Sequence, residues 1–279
     1  MKKTVRFAGA QLACTPYVQA NVLEIRKAID WAADNNVDYL VTPEAALSGY
    51  TANFSSKFNR IKDALTEIEQ YAASKQVGLC LGTIWDEQEH QGIVRRNQIR
   101  FYSKTGIFLG AINKHYTIEY DCGIGVKSDP RKWLIPLPAY DKIIPIGAVI
   151  CVDMYGVDGE PGIPWMLHRM GAKVIIHCTN GTRNRPPTNG LSTELSDKIS
   201  NDWHDVVLRR TSFLTRNPIV TVDNCNMDDG TEYHGNTSSE SGVLIDGSWV
   251  TSVPRTDTQY FYYDFNLDDI SIDDFTKSR

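Results

Sequence analysis

Ile143-Ile144-Pro145-Ile146-Gly147-Ala148-Val149-Ile150-Cys151-Val152-Asp153 is the stretch on which the reading of this chain turns. An apolar run of this length reads as a buried strand. It ends on a thiol just where the chain turns, and a helix-compatible stretch follows soon after. A side chain held there has its back covered. It also sits beside backbone N–H groups able to stabilise an oxyanion. Cys151 is then either a nucleophile or one more buried cysteine, a common fate of that residue.

Working outward, strands and helices alternate. Thr4 to Leu12 reads as a strand, Asn21 to Asp34 as an amphipathic helix, and Val37 to Val41 as a strand entering the loop Thr42-Pro43-Glu44. Ser55 to Ser74 is a second helix, with Phe58, Ile61, Leu65, Ile68 and Tyr71 on one face. Val77 to Trp85 is a third strand. Asn97 to Ser103 and Gly106 to Asn113 form a hairpin. His115 to Arg131 is a long loop, followed by strands at Lys132 to Leu137 and Lys142 to Ile150. A short helix (Pro164 to Met170), a strand (Lys173 to Cys178) and a long helix (Glu194 to Arg216) come next. Strands at Ile219 to Val222, Gly242 to Ile245, Trp249 to Val253 and Tyr260 to Phe265 complete the pattern, and the acidic end reads as a solvated tail. The pattern predicts layered α/β architecture with mixed sheets in a single domain, 1–279.

The 279 residues are 42% hydrophobic and 23% charged, an ordinary globular composition. A net charge of −5 argues against nucleic acid as partner. No apolar run approaches a membrane span, and no signal-peptide core follows the first lysines, so a cytoplasmic protein is expected. The six cysteines are scattered, without a C-x-x-C pair, which disfavours a disulfide framework. The histidines show no paired ligand spacing. No metal and no organic cofactor is expected, and a metal hydrolase built on His115, Cys122 or His177 is a distant alternative.

Glu44, Lys114 and Cys151 each lie just past a predicted strand end, where α/β proteins gather their sites. Their chemistry is complementary. A thiol attacks as thiolate, which a nearby cation favours. A carboxylate can take its proton and pass it to a leaving amine. An ammonium, with the N–H of Val152 as second donor, can neutralise an oxyanion. Each has a bland reading too: inert packing for the cysteine, a solvated strand end for the lysine, a turn cap for the glutamate. Their joint placement suits acyl transfer from an amide-type C–N bond.

The local sequences sharpen this. Thr42-Pro43-Glu44-Ala45-Ala46-Leu47-Ser48-Gly49-Tyr50 resembles the P-E-x-x-x-x-G-Y segment of the nitrilase superfamily, the carbon–nitrogen hydrolases. Asn113-Lys114-His115 is similar to its R-K-x-H segment with one residue missing, and Ile150-Cys151-Val152-Asp153 to its I-C-x-D elbow. Ala8-Gly9-Ala10-Gln11, Gly171 to Ile176, Arg209 to Val220 and Gly235 to Ser238 resemble further family segments, so the likeness spans nearly the whole chain.

The resemblance implies a four-layer α-β-β-α sandwich, with Glu44 as general base, Lys114 as oxyanion stabiliser and Cys151 as nucleophile. It implies a homodimer formed through the Pro164–Met170 helix and the long helix near Trp203–Thr215. A second catalytic glutamate is common in the family. Glu119 is the candidate for it, with Asp121 as competitor and a solvated loop carboxylate as the bland reading. Tyr50, Val152, Tyr155, Asn180 and Arg183 are candidate substrate contacts. Arg183 or Arg185 would suit a substrate carboxylate.

The departures are informative. The family's F-P-E after the elbow is replaced by Tyr155-Gly156-Val157-Asp158-Gly159-Glu160, which predicts an unusual pocket wall. Cys151-Val152-Asp153 in place of C-W-E favours amides over nitriles. A small linear amide cleaved through a thioester is the expected activity. Transfer of the acyl group to an amine, nitrile hydrolysis and an inactive binding scaffold are the alternatives.

Overall fold

The computed structural model of the chain describes residues 4–51, 53–90, 92–131, 133–156, 162–181, 190–225 and 237–273. The first half runs β1 (Thr4–Gln11), α1 (Val18–Asp34), β2 (Tyr39–Val41), α2 (Phe54–Ser74), β3 (Gly78–Glu89), β4 (Gly92–Tyr102), β5 (Phe108–Asn113) and α3 (Glu119–Gly123). The second runs β6 (Ile135–Ala139), β7 (Lys142–Ile150), α4 (Ile163–Arg169), β8 (Val174–Cys178), α5 (Thr193–Thr215), β9 (Ile219–Val222), β10 (Ser241–Ile245), β11 (Ser248–Val253) and β12 (Gln259–Asn266). The chain closes with α6 (Leu267–Ile270) and β13 (Ile272–Asp273).

These strands form two mixed sheets. One has the order β12-β1-β2-β3-β4-β5, the other β11-β10-β9-β8-β7-β13, with β6 also paired to β7. β1, β2 and β3 are mutually parallel, as are β7, β8 and β9; the remaining pairs are antiparallel.

Alternation along the strands builds the layers. Ile144, Ile146, Ala148 and Ile150 of β7 face inward, against Val5, Phe7, Val41, Ile99 and Phe101 of the first sheet. Val149 faces the other way, with Ile175, Ile219 and Leu244, onto Leu167 of α4 and Leu208 of α5. On the outer face of the first sheet, α1 and α2 lay Val22, Ile25, Ile29, Ile61, Leu65 and Ile68 over Ala8, Leu40, Leu79 and Leu81. The result is the α-β-β-α sandwich, with three apolar layers. The two sheets come close at Gly9: a Cβ there would lie 2.2 Å from the Phe261 ring and 2.7 Å from Val222.

One element differs from the sequence reading. The acidic end is not a solvated tail as far as Asp273. Leu267 and Ile270 are buried, and Ile272 and Asp273 pair with Ile143 and Lys142 at the edge of β7. Helix α5 buries Ser200, His204, Leu208, Ser212 and Thr215, while Ile199, Trp203, Val206, Phe213 and Leu214 face outward. Apart from Leu208, these large apolar side chains therefore lie outside this chain's own core.

Topology positions the site. β5 runs parallel in direction to β1, β2 and β3, because two antiparallel steps separate it from β3. The ends of β2 and β5 therefore open on one edge of the first sheet. The ends of β7 and β8 open on the facing edge of the second, and the two edges are joined where the Glu44 N–H donates to the Thr179 carbonyl (3.3 Å).

Candidate active site

Glu44 sits in a turn that is buried throughout from Thr42 to Gly49. The turn needs left-handed backbone at Ala45 (φ 55°) and Gly49 (φ 59°). Side chains pin it: the Thr42 hydroxyl accepts from Gly82 N–H (3.0 Å), the Ser48 hydroxyl from Ile84 N–H (2.9 Å), and Asn21 donates to the Leu47 carbonyl (3.1 Å).

Lys114, fully buried, reaches this turn from the end of β5. Its Nζ lies 2.7 Å from Glu44 Oε1 and 2.8 Å from Asp121 Oδ2. Burial opposes the ammonium, but Glu44, the Cys151 sulfur and Asp121 outweigh it and lift Lys114 above its ordinary range. Glu44 Oε1 also accepts from the Tyr50 hydroxyl (2.6 Å) and from Asn97 Nδ2 (2.8 Å). Asn97 Nδ2 further approaches the Tyr50 hydroxyl (2.9 Å) and Asp121 Oδ1 (3.3 Å). All three protein donors use the same carboxylate oxygen. Among the described residues, Glu44 Oε2 receives none.

Cys151 opens a 3-10 turn, Cys151–Met154, with left-handed backbone (φ 50°). For a non-glycine residue that geometry stores on the order of 1–3 kcal/mol, and the surroundings must hold it. Asp153 does much of this. Its buried carboxylate accepts from Ile150 N–H (3.3 Å), His115 N–H (3.0 Å) and Tyr116 N–H (2.8 Å). One side chain thus ties the cysteine turn to the segment just after Lys114. Burial lifts Asp153 to about 7 despite those donors. Burial likewise pushes the Cys151 thiol up to about 12; Glu44 adds to the rise, while Lys114 and a hydrogen bond from Thr179 draw it down. The resting sulfur is therefore a thiol, and it needs a base.

The structure brings Glu44, Lys114 and Cys151 together. It separates the two candidates for the second carboxylate. Glu119 is exposed at the start of α3, whereas Asp121 is fully buried in the cluster, where it also accepts from Ile118 N–H (3.1 Å). Residues two apart on a helix point about 200° apart, so only one of the pair can face Lys114.

Tyr50 spends its hydroxyl on Glu44, with its ring edge-on to Tyr120. Tyr155 packs behind the turn against Trp203, His204 and His177. Val152 lies within the turn, where its carbonyl accepts from Tyr155 N–H (3.0 Å). Asn180, half-buried, donates to the Glu44 carbonyl (3.1 Å). Arg183 and Arg185 lie outside the described residues.

Four residues that the sequence reading passed over shape the site. Asn97 and Thr179 touch the cluster directly. Asp153 and Asp223 brace its loops. Asp223 accepts from Gly181 N–H (2.8 Å), Asn224 N–H (2.8 Å), Ser238 N–H (3.0 Å) and the Ser238 hydroxyl (2.7 Å), and burial lifts its carboxyl to about 6. Among the described residues no three His, Cys, Asp or Glu gather as a metal would require. The side chains of Cys122 and His177 are engaged separately, with Thr117 and Thr221, and His115 meets Asp153 through its main-chain N–H. No helix of the described residues is long and apolar enough to cross a membrane.

Two sheets whose strand ends converge on a cysteine, a lysine and two carboxylates define an α/β protein of the nitrilase type. Residues 6–270 match the family model for carbon–nitrogen hydrolase, and the chain belongs to that family. It is similar to Nitrilase homolog 2 of Dictyostelium discoideum, at 25% identity over 182 residues, covering 63% of this chain and 54% of that protein. The match thus spans about half the length of that relative. Among solved structures, it resembles a carbon–nitrogen hydrolase from Helicobacter pylori (TM-score 0.78, 13% identity, 95% of this chain and 90% of that one). Nit3 of Saccharomyces cerevisiae has the same fold (TM-score 0.73, 15% identity, 96% and 92% covered). So does the NitN amidase of Nesterenkonia sp. AN1 (TM-score 0.70, 14% identity, 95% and 94% covered).

Proposed function

We propose that this protein hydrolyses the C–N bond of a small linear amide through a thioester on Cys151. The observation that carries the reading is the arrangement around Glu44: one oxygen is held by Lys114, Tyr50 and Asn97, and among the described residues the other receives no donor. Glu44 Oε2 takes the thiol proton as Cys151 Sγ bonds to the amide carbon, and the C=O electron pair moves onto oxygen. Lys114 has three N–H groups, two of them committed to Glu44 and Asp121, so one remains for that oxyanion. The Val152 N–H is the natural second donor. Collapse re-forms C=O and breaks C–N, and Glu44 returns the proton to the leaving amine. Water then gives a proton to Glu44 as its oxygen attacks the thioester. The thiolate leaves and regains its proton from Glu44.

In this reading Asp121, rather than Glu119, is the second carboxylate, and its task is to hold Lys114. Asn180, which donates to the Glu44 carbonyl, borders the acyl site. A Glu-to-Gln mutant of the similar amidase from Nesterenkonia has been observed with acrylamide added to its active-site cysteine, which makes acrylamide a reasonable probe for Cys151 in Glu44→Gln. The direct test is ammonia release from a panel of small amides, nitriles and carbamoyl compounds, with intact-mass trapping of the acyl-enzyme. An amide should turn over and leave a thioester adduct on Cys151. Turnover by Cys151→Ala at the wild-type rate would sink the mechanism.

The exposed apolar face of α4 and α5, with Trp165, Met166, Ile199, Trp203, Phe213 and Leu214, supports homodimerisation. Sedimentation should give twice the chain mass, and Phe213→Asp should return it to one.

A further inference from the structure

Thr179 directly follows β8, beside the nucleophile. β7 and β8 are parallel, with Ile150 in register with Cys178. Cys151 and Thr179 are therefore the residues that leave the two strands at the same sheet edge. Thr179 is 1% exposed, so its hydroxyl is delivered to the site from a fixed, packed strand end. Its backbone is held at both ends: its N–H donates to the Val222 carbonyl (2.9 Å), and its carbonyl accepts from Glu44 N–H (3.3 Å). Its hydroxyl draws the Cys151 thiol down. One residue thus acts on the nucleophile through its side chain and is bonded to the base through its main chain.

We infer that Thr179 is a further catalytic residue, whose hydroxyl donates to the Cys151 sulfur and stabilises the thiolate as Glu44 removes the proton. The chemistry favours this direction. A sulfur that is losing its proton gains charge in a site already holding two carboxylates against one ammonium. Lys114 divides its hydrogens between those carboxylates and the oxyanion, which leaves the sulfur in need of a neutral donor. A hydrogen bond to an ionised group is the strong kind. A threonine hydroxyl supplies it without adding another charge, and its β-branch leaves few side-chain rotamers.

This inference rests on Cys151 being the nucleophile, and its test is separate because alkylation needs no substrate. Iodoacetamide labelling of Cys151, followed by peptide mass spectrometry that separates it from the exposed Cys122, reads the thiolate fraction. Thr179→Val keeps the shape and loses the hydroxyl. Its alkylation at pH 8 should slow about tenfold, and its kcat should fall by a similar factor with KM little changed. Thr179→Ala, which relieves any packing conflict, should show the same slowing. Thr179→Ser should restore most of both rates. Wild-type alkylation in either hydroxyl-free variant would overturn the inference, as would serine being as slow as valine. Turnover surviving Cys151→Ala would instead overturn the reading on which it rests.

Discussion

The two halves of the site are built on opposite physical terms. The half carried by the first sheet, Glu44 with Lys114 and Asp121, is an electrostatic unit: buried charges paired at 2.7 and 2.8 Å, with Tyr50 and Asn97 also donating to Glu44 Oε1. The half carried by the second sheet is a single thiol on a left-handed residue, pushed up to about 12 by burial. Charge is paired on one side, and strain and desolvation are kept on the other. The first half should therefore matter to folding and rate together, the second to rate almost alone.

Lys114→Met strikes the comparison hardest. It strands two buried carboxylates, so denaturant melts should show a loss of about 3–5 kcal/mol, together with loss of turnover. Cys151→Ala should cost the whole rate and less than ~1 kcal/mol in the same melts. If the two variants were equally destabilised, the contrast would fail. Glu44→Gln should lower kcat by roughly 10²–10⁴-fold, since Gln can keep a contact to Lys114 but cannot take a proton. Tyr50→Phe removes one of three donors from Glu44 Oε1 and should reduce kcat by about tenfold with KM little changed. A rise in KM with kcat unchanged would mean that Tyr50 acts on substrate binding instead.

The smallest effect concerns pH and stability. Asp153 titrates at about 7 in the fold against an ordinary 3.8. A raised carboxyl contributes stability that is fully present below pH 3.8 and is lost as pH rises through about 7. The melting temperature should therefore decline over that window. Asp153→Asn should remove its share of that decline, leaving Asp223, which acts in the same sense, against His177, which burial holds down to about 3 and which acts in the opposite sense over the same window.

Much of this was legible in the sequence because it is local. The run ending at Cys151 announces a buried strand, and Ile61, Leu65 and Ile68 announce a helix face. Glu119 and Asp121 were not separable, because a five-residue helix carries too little periodicity to show which face turns inward. Asn97 lay hidden in a strand that read as scaffold, and Thr179 in an apolar run. Each owes its place to a neighbour far off in the chain: Glu44, 53 residues from Asn97, and the parallel register of β7 and β8. Leu267 and Ile270, three apart, were a helix signal masked by the aspartates between them.

Asp153 has a consequence for how this sequence is free to drift. It grips His115 and Tyr116 by their main-chain N–H groups, not by their side chains. Those two positions should accept many residue types across homologues with little loss, because every ordinary amino acid brings the same amide. Proline is the exception, since it has no N–H to give. The segment beside Lys114 is thus open in side-chain identity and closed in main-chain chemistry. A substitution there that looks radical on paper can be silent, while the modest-looking step to proline would let go of the turn that carries Cys151.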